Sequence, residues 1–301
     1  MRPASHPGNP MTSIDDATAM RMKDEVRRGW TAESAGWVKH ADLLAAWSSA
    51  AVDLVVRGSG ARPGMRALDV ASASGATAFA LARAVSPGGS VVATDLVPEM
   101  LRGAEALARA RGVTNVTFRE ADAEALPFPD ASFDVATCLH GVMFFPQPVK
   151  AAHELRRVLA PGGRAAWLAW GPPEGNPFLG AVAGPFLRRI GAAGAPSPDE
   201  PGPFRFAAPG SLSAVLRGGG FDDVREDARE IPWDFPGTPE TFWSAVQEIS
   251  SSLFEWFRAD LPPAEFDAAC REVREAAAKR YDGEKVRFTA TMVLATGTRP
   301  A

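Results

Sequence analysis

Only two cysteines occur in 301 residues, Cys138 and Cys270. They stand far apart and form no CxxC pair, which excludes a disulfide scaffold and a cysteine zinc cluster. Thiols used this sparingly fit a reducing cytoplasm. Long apolar runs are missing as well. None reaches the ~18–20 residues that span a bilayer, so no membrane partner is expected. No run of five basic residues appears, and 32 Lys+Arg against 36 Asp+Glu leave a formal net charge of −4. A nucleic-acid partner held by bulk positive charge is therefore not expected. The GxGxxG fingerprint is absent, because positions 71 and 73 are alanine. So are the Gly-Lys-Ser/Thr of a Walker A loop and the HExxH of a zinc hydrolase. Nicotinamide, nucleoside-triphosphate and metal-dependent readings all lose support, and no metal is expected.

What is present is an ordinary globular composition, with 46% hydrophobic and 23% charged residues. A chain of this size builds a core without disulfide or metal staples. Residues 1–12 are rich in Pro, Gly, Ser and Asn and carry no apolar segment, which predicts a disordered tail rather than a signal. Residues 13–60 read as two N-terminal helices. The second carries Trp37, Ala41, Leu44, Trp47, Ala51 and Leu54 at helical spacing.

From 61 to 171 short apolar runs alternate with helical stretches. Strands are expected at 67–71, 90–95, 116–120, 133–139 and 164–170, with helices at 77–85, 98–111 and 148–159. Runs apolar on both faces, alternating with helices, predict a parallel sheet covered on both sides. Pro161-Gly162-Gly163 reads as a turn just before its strand. Residues 172–210 form an insertion with one helix (179–190) and a Pro/Gly/Ala loop. Residues 211–232 return to the core as a helix and a strand. Residues 233–283 read as a helical lid of two helices, the first holding Phe242 to Trp256 and the second running to Tyr281, the only tyrosine. Residues 284–301 hold a final strand.

Two features carry chemistry. The segment Leu68-Asp-Val-Ala-Ser-Ala-Ser-Gly75 runs from strand to small-residue loop to helix, which lets backbone approach a ligand closely. Asp95 closes the next strand, where a carboxylate can bind a ribose diol. Together with Val92-Ala-Thr-Asp95-Leu-Val-Pro-Glu-Met-Leu101, Glu120-Ala-Asp122 through Phe133-Asp134, and Leu155 through Gly163, they resemble the class I S-adenosylmethionine-dependent methyltransferases. The nearest group is the ubiquinone/menaquinone-biosynthesis type with its small-molecule relatives. The resemblance is strong over 61–171 and weak beyond.

The resemblance implies an α/β, Rossmann-like, mostly parallel seven-stranded sheet with its last strand antiparallel, N-terminal helices and a late helical lid. It implies S-adenosyl-L-methionine as cofactor. Asp69 and the loop of Ala71, Ser72, Ala73 and Gly75 would hold the methionine end. Asp95 would take the ribose, Leu96 and Met100 the adenine ring, and Asp122 and Ala123 its amino edge. Leu139 and His140 would face the sulfonium. Trp30, Trp37 and His40 on the N-terminal helices would close over the cofactor. The family's loop is glycine-rich, whereas only Gly75 remains here. Alanine disfavours positive φ, so the loop is expected to bend differently or to bind more weakly.

His140 is the candidate base, because an unperturbed imidazole titrates near neutrality. His40 is a second candidate. Phe144, Trp233, Trp243, Phe254 and Trp256 are candidate acceptor contacts, which would suit an apolar or aromatic small molecule. The expected reaction is metal-independent methyl transfer to oxygen or carbon by in-line attack. A relative with other chemistry (cyclase, decarboxylase, hydroxylase) and a non-catalytic binding protein are the alternatives. A homodimer stays open.

Overall fold

A computed structural model describes residues 14–191 and 200–301. The proposed tail at 1–12 and much of the loop after 191 lie outside the described residues. Seven strands form one sheet: β1 (Arg66–Val70), β2 (Ser90–Asp95), β3 (Val116–Glu120), β4 (Phe133–Leu139), β5 (Leu159–Trp170), β6 (Asp222–Pro232) and β7 (Thr289–Thr298). Their order is β3-β2-β1-β4-β5-β7-β6. The first five pair in parallel, and β7 runs antiparallel between β5 and β6. The chain winds outward from β1 to β3, then returns to place β4 on the other side of β1. That reversal opens a crevice at the strands' carboxyl ends.

Helices α1 (Asp16–Lys39), α2 (Ala41–Trp47) and α3 (Ser49–Ser59) precede the sheet. Asp15 caps α1 by accepting from Thr18 N at 2.7 Å. The apolar stripe from Trp37 to Leu54 was expected on one helix and is divided among three. Each break is a single residue, His40 and Ser48, and the backbone bonds Leu44 N→His40 O and Val52 N→Ser48 O carry the period through. The Ser48 hydroxyl competes for the Leu44 carbonyl at 2.7 Å. The bends let Trp37 reach Ile249 O (2.9 Å) while Trp47 reaches Trp233 O (3.1 Å).

Helices α4 (Ala76–Ala84), α5 (Pro98–Ala110) and α6 (Pro148–Val158) cross over between strands. Beyond β5 come α7 (Pro177–Ile190), α8 (Ser211–Gly218), α9 (Pro239–Ile249), α10 (Ser251–Asp260) and α11 (Pro263–Ala278). Three predictions need correction here. Pro161-Gly162-Gly163 does not precede β5 but bulges within it, since pairing jumps from Phe133–Leu159 to Val135–Arg164 and Gly162 takes φ +75°. The lid's first helix breaks at Ser250 (φ −130°) into α9 and α10. Tyr281 lies past the end of α11, where its hydroxyl donates to Gly283 O at 2.7 Å across a turn that Gly283 makes at φ +101°.

The 172–210 segment and the lid share one core. Phe186 of α7 stacks on Phe257 of α10, with centroids 4.6 Å apart. It also meets Phe254 and Phe266 edge-on or tilted. Arg189 of α7 bonds Glu265 and Glu272 of α11 at 3.0 and 2.6 Å. No helix among the described residues is long and apolar enough to cross a membrane.

Candidate active site

A cavity of about 560 Å³ lies over the carboxyl ends of β1, β2 and β4, roofed by α1 and the lid. That is within the roughly 300–1,000 Å³ of small-molecule sites. Its floor begins with the loop after β1. Ala71 (φ 56°), Ala73 (φ 46°) and Gly75 (φ 89°) all take the left-handed conformation. The alanines thus take the left-handed conformation that alanine disfavours rather than avoiding it. Each alanine there costs roughly 1–2 kcal/mol, and a set of hydrogen bonds holds the strained path. Ser72 N donates to Thr94 O (2.9 Å) and Gly75 N to Ser72 O (2.8 Å). Ala73 N donates to Asp95 Oδ2 (2.8 Å), and the Ser72 hydroxyl to Asp69 Oδ2 (2.8 Å). Gly141, after β4, completes the close approach, since a Cβ there would sit 2.4 Å from Ala71 Cβ.

Asp69 itself does not line the cavity. It is 1% exposed, accepts from Thr137 Oγ1 at 2.7 Å as well as from Ser72, and anchors the loop from beneath. Burial pushes its carboxyl up to about 7. Gly75 is also off the surface: a side chain there would strike Phe79 at 2.9 Å. Asp95 faces the cavity, and its other oxygen accepts from Val97 N at 3.0 Å. Burial pushes this carboxyl up too.

Ala71, Ser72, Ala73, Asp95, Leu96, Met100, Asp122, Ala123, Leu139, His140, Trp30, Trp37, Phe144 and Trp233 all line the cavity. His40 does not. Its Nε2 lies 3.1 Å from Glu248 of α9, which also pairs with Lys39 at 2.7 Å, so His40 latches α1 to the lid. Trp243, Phe254 and Trp256 are likewise away from it. Trp243 meets Phe254 edge-on at 5.4 Å inside the lid, and Trp256 is 43% exposed. Lid aromatics fill their own layer because three helices with little sheet beneath them must build a core of their own.

His140 is at the site but not in the expected state. It takes φ 60°, stacks on Trp170 and brings Nε2 within 3.3 Å of Met292 Sδ. Burial lowers its pKa to about 3, so the argument from an imidazole's ordinary value fails. Lys23, Glu33, Trp47, Trp170 and Phe178 also line the cavity and were not anticipated. Trp170 closes β5, so the rule that ligands sit at strand carboxyl ends would have found it. Lys23, Trp30, Glu33 and Trp37 share one face of α1 at helical spacing, which was the available signal for Glu33. Lys23 bonds Asp122 and Glu124, each at 2.6 Å. Burial alone would lower this ammonium's pKa, but the two carboxylates outweigh it and hold it above its ordinary value.

The donor set fits S-adenosylmethionine. A carboxylate closes β2, apolar Leu96, Val97 and Met100 flank it, and the backbone of 71–74 is brought to the surface by left-handed turns. Among the described residues no three His, Cys, Asp or Glu side chains gather as metal ligands.

Residues 68–167 match the family described as a methyltransferase domain. The chain is 38% identical over 183 residues to a Thermus thermophilus protein named demethylmenaquinone methyltransferase, spanning 58% of this chain and 80% of that one. It belongs to the class I S-adenosylmethionine-dependent methyltransferases. The ubiquinone/menaquinone biosynthesis C-methyltransferase UbiE of Ectopseudomonas mendocina is 42% identical over 125 residues, 41% of this chain but only 48% of that one. Among solved structures, the [4+2]-cyclase SpnF is similar with a TM-score of 0.53 at 20% identity, over 90% of this chain and 96% of that one, a likeness of fold. The cofactor of this methyltransferase is S-adenosylmethionine.

Proposed function

We propose that this methyltransferase alkylates oxygen or carbon of an apolar or aromatic small molecule, of quinone-like or natural-product type, without a metal. The observation that carries this reading is the mixed lining of the cavity. Its polar residues include Asp95, Asp122 and Lys23, while Trp47, Phe178, Trp233 and Trp170 form a group of rings in mutual contact. An acceptor that packs against those rings must be flat or greasy. The names of the Thermus and Ectopseudomonas relatives favour a quinone precursor.

Bound S-adenosylmethionine supplies a methyl group already activated on a sulfonium. The protein's share is then positioning and dryness. The 71–75 loop, Asp95 and the Leu96–Met100 wall would hold and orient the cofactor. The Asp122–Lys23 pair would close its outer end. Trp30 and Phe144, both in the cavity lining, meet edge-on at 5.4 Å and would exclude water there. The Trp170 and Trp233 rings, 4.9 Å apart, would fix the acceptor plane. The partner is a small molecule rather than nucleic acid or membrane. Both thiols are free and buried, which supports a reducing cytoplasm as its location.

The second reading, cyclisation with a bound cofactor, draws on SpnF. Incubation with S-adenosylmethionine and a panel of quinols, phenols and polyketides separates the two. Mass spectrometry should show an acceptor heavier by one methylene together with S-adenosylhomocysteine. An isomerised acceptor with no S-adenosylhomocysteine formed would overturn the methyl-transfer reading.

A further inference from the structure

Helix α1 lines the cavity from Lys23 to Trp37. Lys23 ties it to Asp122 and Glu124 at one end, and Trp37 donates to Ile249 O at the other. Glu33 lies ten residues past Lys23, about 15 Å along the axis at 1.5 Å per residue. It lines the cavity. One turn before it, Trp30 touches both Phe144 and Trp37 with centroids 5.4 Å away. Glu33 therefore stands on the cavity face of α1 between Lys23, which pairs with Asp122, and Trp37. A carboxylate in the wall of the cavity can meet a bound acceptor there.

Its surroundings keep it available. The polar groups facing its carboxyl are the hydroxyl and amide of Ser252 on α10. Charges on the packed elements are engaged elsewhere. Glu248 on α9 holds Lys39 and His40, Arg27 on α1 holds Glu120, and Lys23 holds Asp122 and Glu124. Across the cavity Asp95 accepts from Ala73 and Val97, and His140 is neutral. No Lys or Arg among the described residues forms an ion pair with Glu33. Burial pushes its carboxyl up to about 7, the range in which a carboxylate is ionised often enough and basic enough to take a proton.

We propose that Glu33 is the general base of this enzyme. The assignment rests on the methyl-transfer reading above. The acceptor's O–H, or a C–H made acidic by a neighbouring oxygen, gives its proton to a Glu33 carboxylate oxygen. The electron pair left on that oxygen or carbon forms the new bond to the methyl carbon. The old carbon–sulfur bond breaks with its pair remaining on sulfur, which becomes a neutral thioether. Glu33 passes its proton to water when product leaves. A carboxylate and a sulfonium are consumed together, so the charges balance.

The full chain and Glu33→Gln are compared in three ways. Infrared difference titration of the cofactor-free proteins should show carboxyl absorbance titrating near neutrality that is reduced in E33Q, the remainder belonging to Asp69 and vanishing only when Asp69→Asn is added. Calorimetric titration with S-adenosylhomocysteine should give dissociation constants within about 3-fold, which also shows that the variant folds. With a quinol or phenol methylated by the wild type, kcat should fall by about 100-fold or more, and the acid limb of the pH profile should vanish. Formate should restore part of the rate to Glu33→Ala. An E33Q enzyme with unchanged kcat, or one that keeps the acid limb, overturns the assignment. So does a loss confined to cofactor affinity, which would make Glu33 a cofactor ligand. A wild type that methylates nothing in the panel overturns the methyl-transfer reading, and the base assignment falls with it, whatever the infrared titration shows.

Discussion

The imidazole of His140 lies flat against the indole of Trp170, ring centroids 4.5 Å apart and planes 10° from parallel. Trp233 meets both, at 6.0 Å from His140 and 4.9 Å from Trp170. The residue just after β4 is thus part of the aromatic wall of the cavity, held in a left-handed backbone that asparagine tolerates.

His140→Asn tests that role. Stacking and shape are lost while the backbone is kept, so kcat should fall less than about 10-fold. A loss of about 100-fold at unchanged cofactor affinity would make His140 the base after all. The same variant carries a pH signature. The imidazole's pKa drops from 6.5 to about 3 on folding, so the unfolded chain takes up a proton below 6.5 that the folded one refuses. Its contribution is fully present above pH 6.5 and is lost as pH falls towards 3. Urea unfolding between about pH 7.5 and about pH 5 should show wild-type stability falling more steeply than that of H140N.

Asp69 has the opposite sign. Its carboxyl rises from 3.8 to about 7 in the fold, so the folded protein holds a proton that the unfolded one has released. Its contribution is fully present below pH 3.8 and is lost as pH rises through 7. Asp69→Asn removes that titration while keeping one acceptor for Ser72 or Thr137. The stability of D69N relative to wild type should therefore rise from about pH 5 to about pH 8, read by urea unfolding. A flat difference would mean that Asp69 is ionised throughout.

Lys23 anchors the roof. Glu124 is 2% exposed and accepts from Gln147 N at 2.7 Å besides facing Lys23. Lys23→Met would leave a buried carboxylate without its cation, at a cost of about 3–5 kcal/mol. K23M with Glu124→Gln should recover most of that stability, because the uncompensated charge is gone. Stopped-flow release of S-adenosylhomocysteine should speed up in both. A K23M loss under about 1 kcal/mol would show the pair to be solvated and the roof held by α1 packing alone.

The strands and crossover helices were legible because each is a local pattern. A run apolar on both faces, such as Val135–Leu139 within β4, reads the same in any fold with a covered parallel sheet. The small-residue loop and Asp95 were legible because their order along the chain is set by that sheet. The one-residue breaks at His40 and Ser48 were not, since the helical hydrogen bonding, and with it the spacing, continues through them. Nor could spacing sort the lid's aromatics. Trp243 and Trp233 look alike in the sequence, yet one packs against Phe254 and the other walls the cavity.

The sequence by itself determined the sheet, its crossover helices, the family and the place of the small-residue loop and Asp95 at the cavity, because these follow from local periodicity and from motifs carried within about a hundred residues. Tertiary structure decided what each ionisable group does. Asp69 and Glu33 are raised and His140 lowered by burial, and burial is created by helices distant in the chain. Ser252 of α10 faces Glu33 of α1, and Met292 of β7 faces His140 of the β4 end. Desolvation depends on all neighbours at once, so no stretch of sequence contains it.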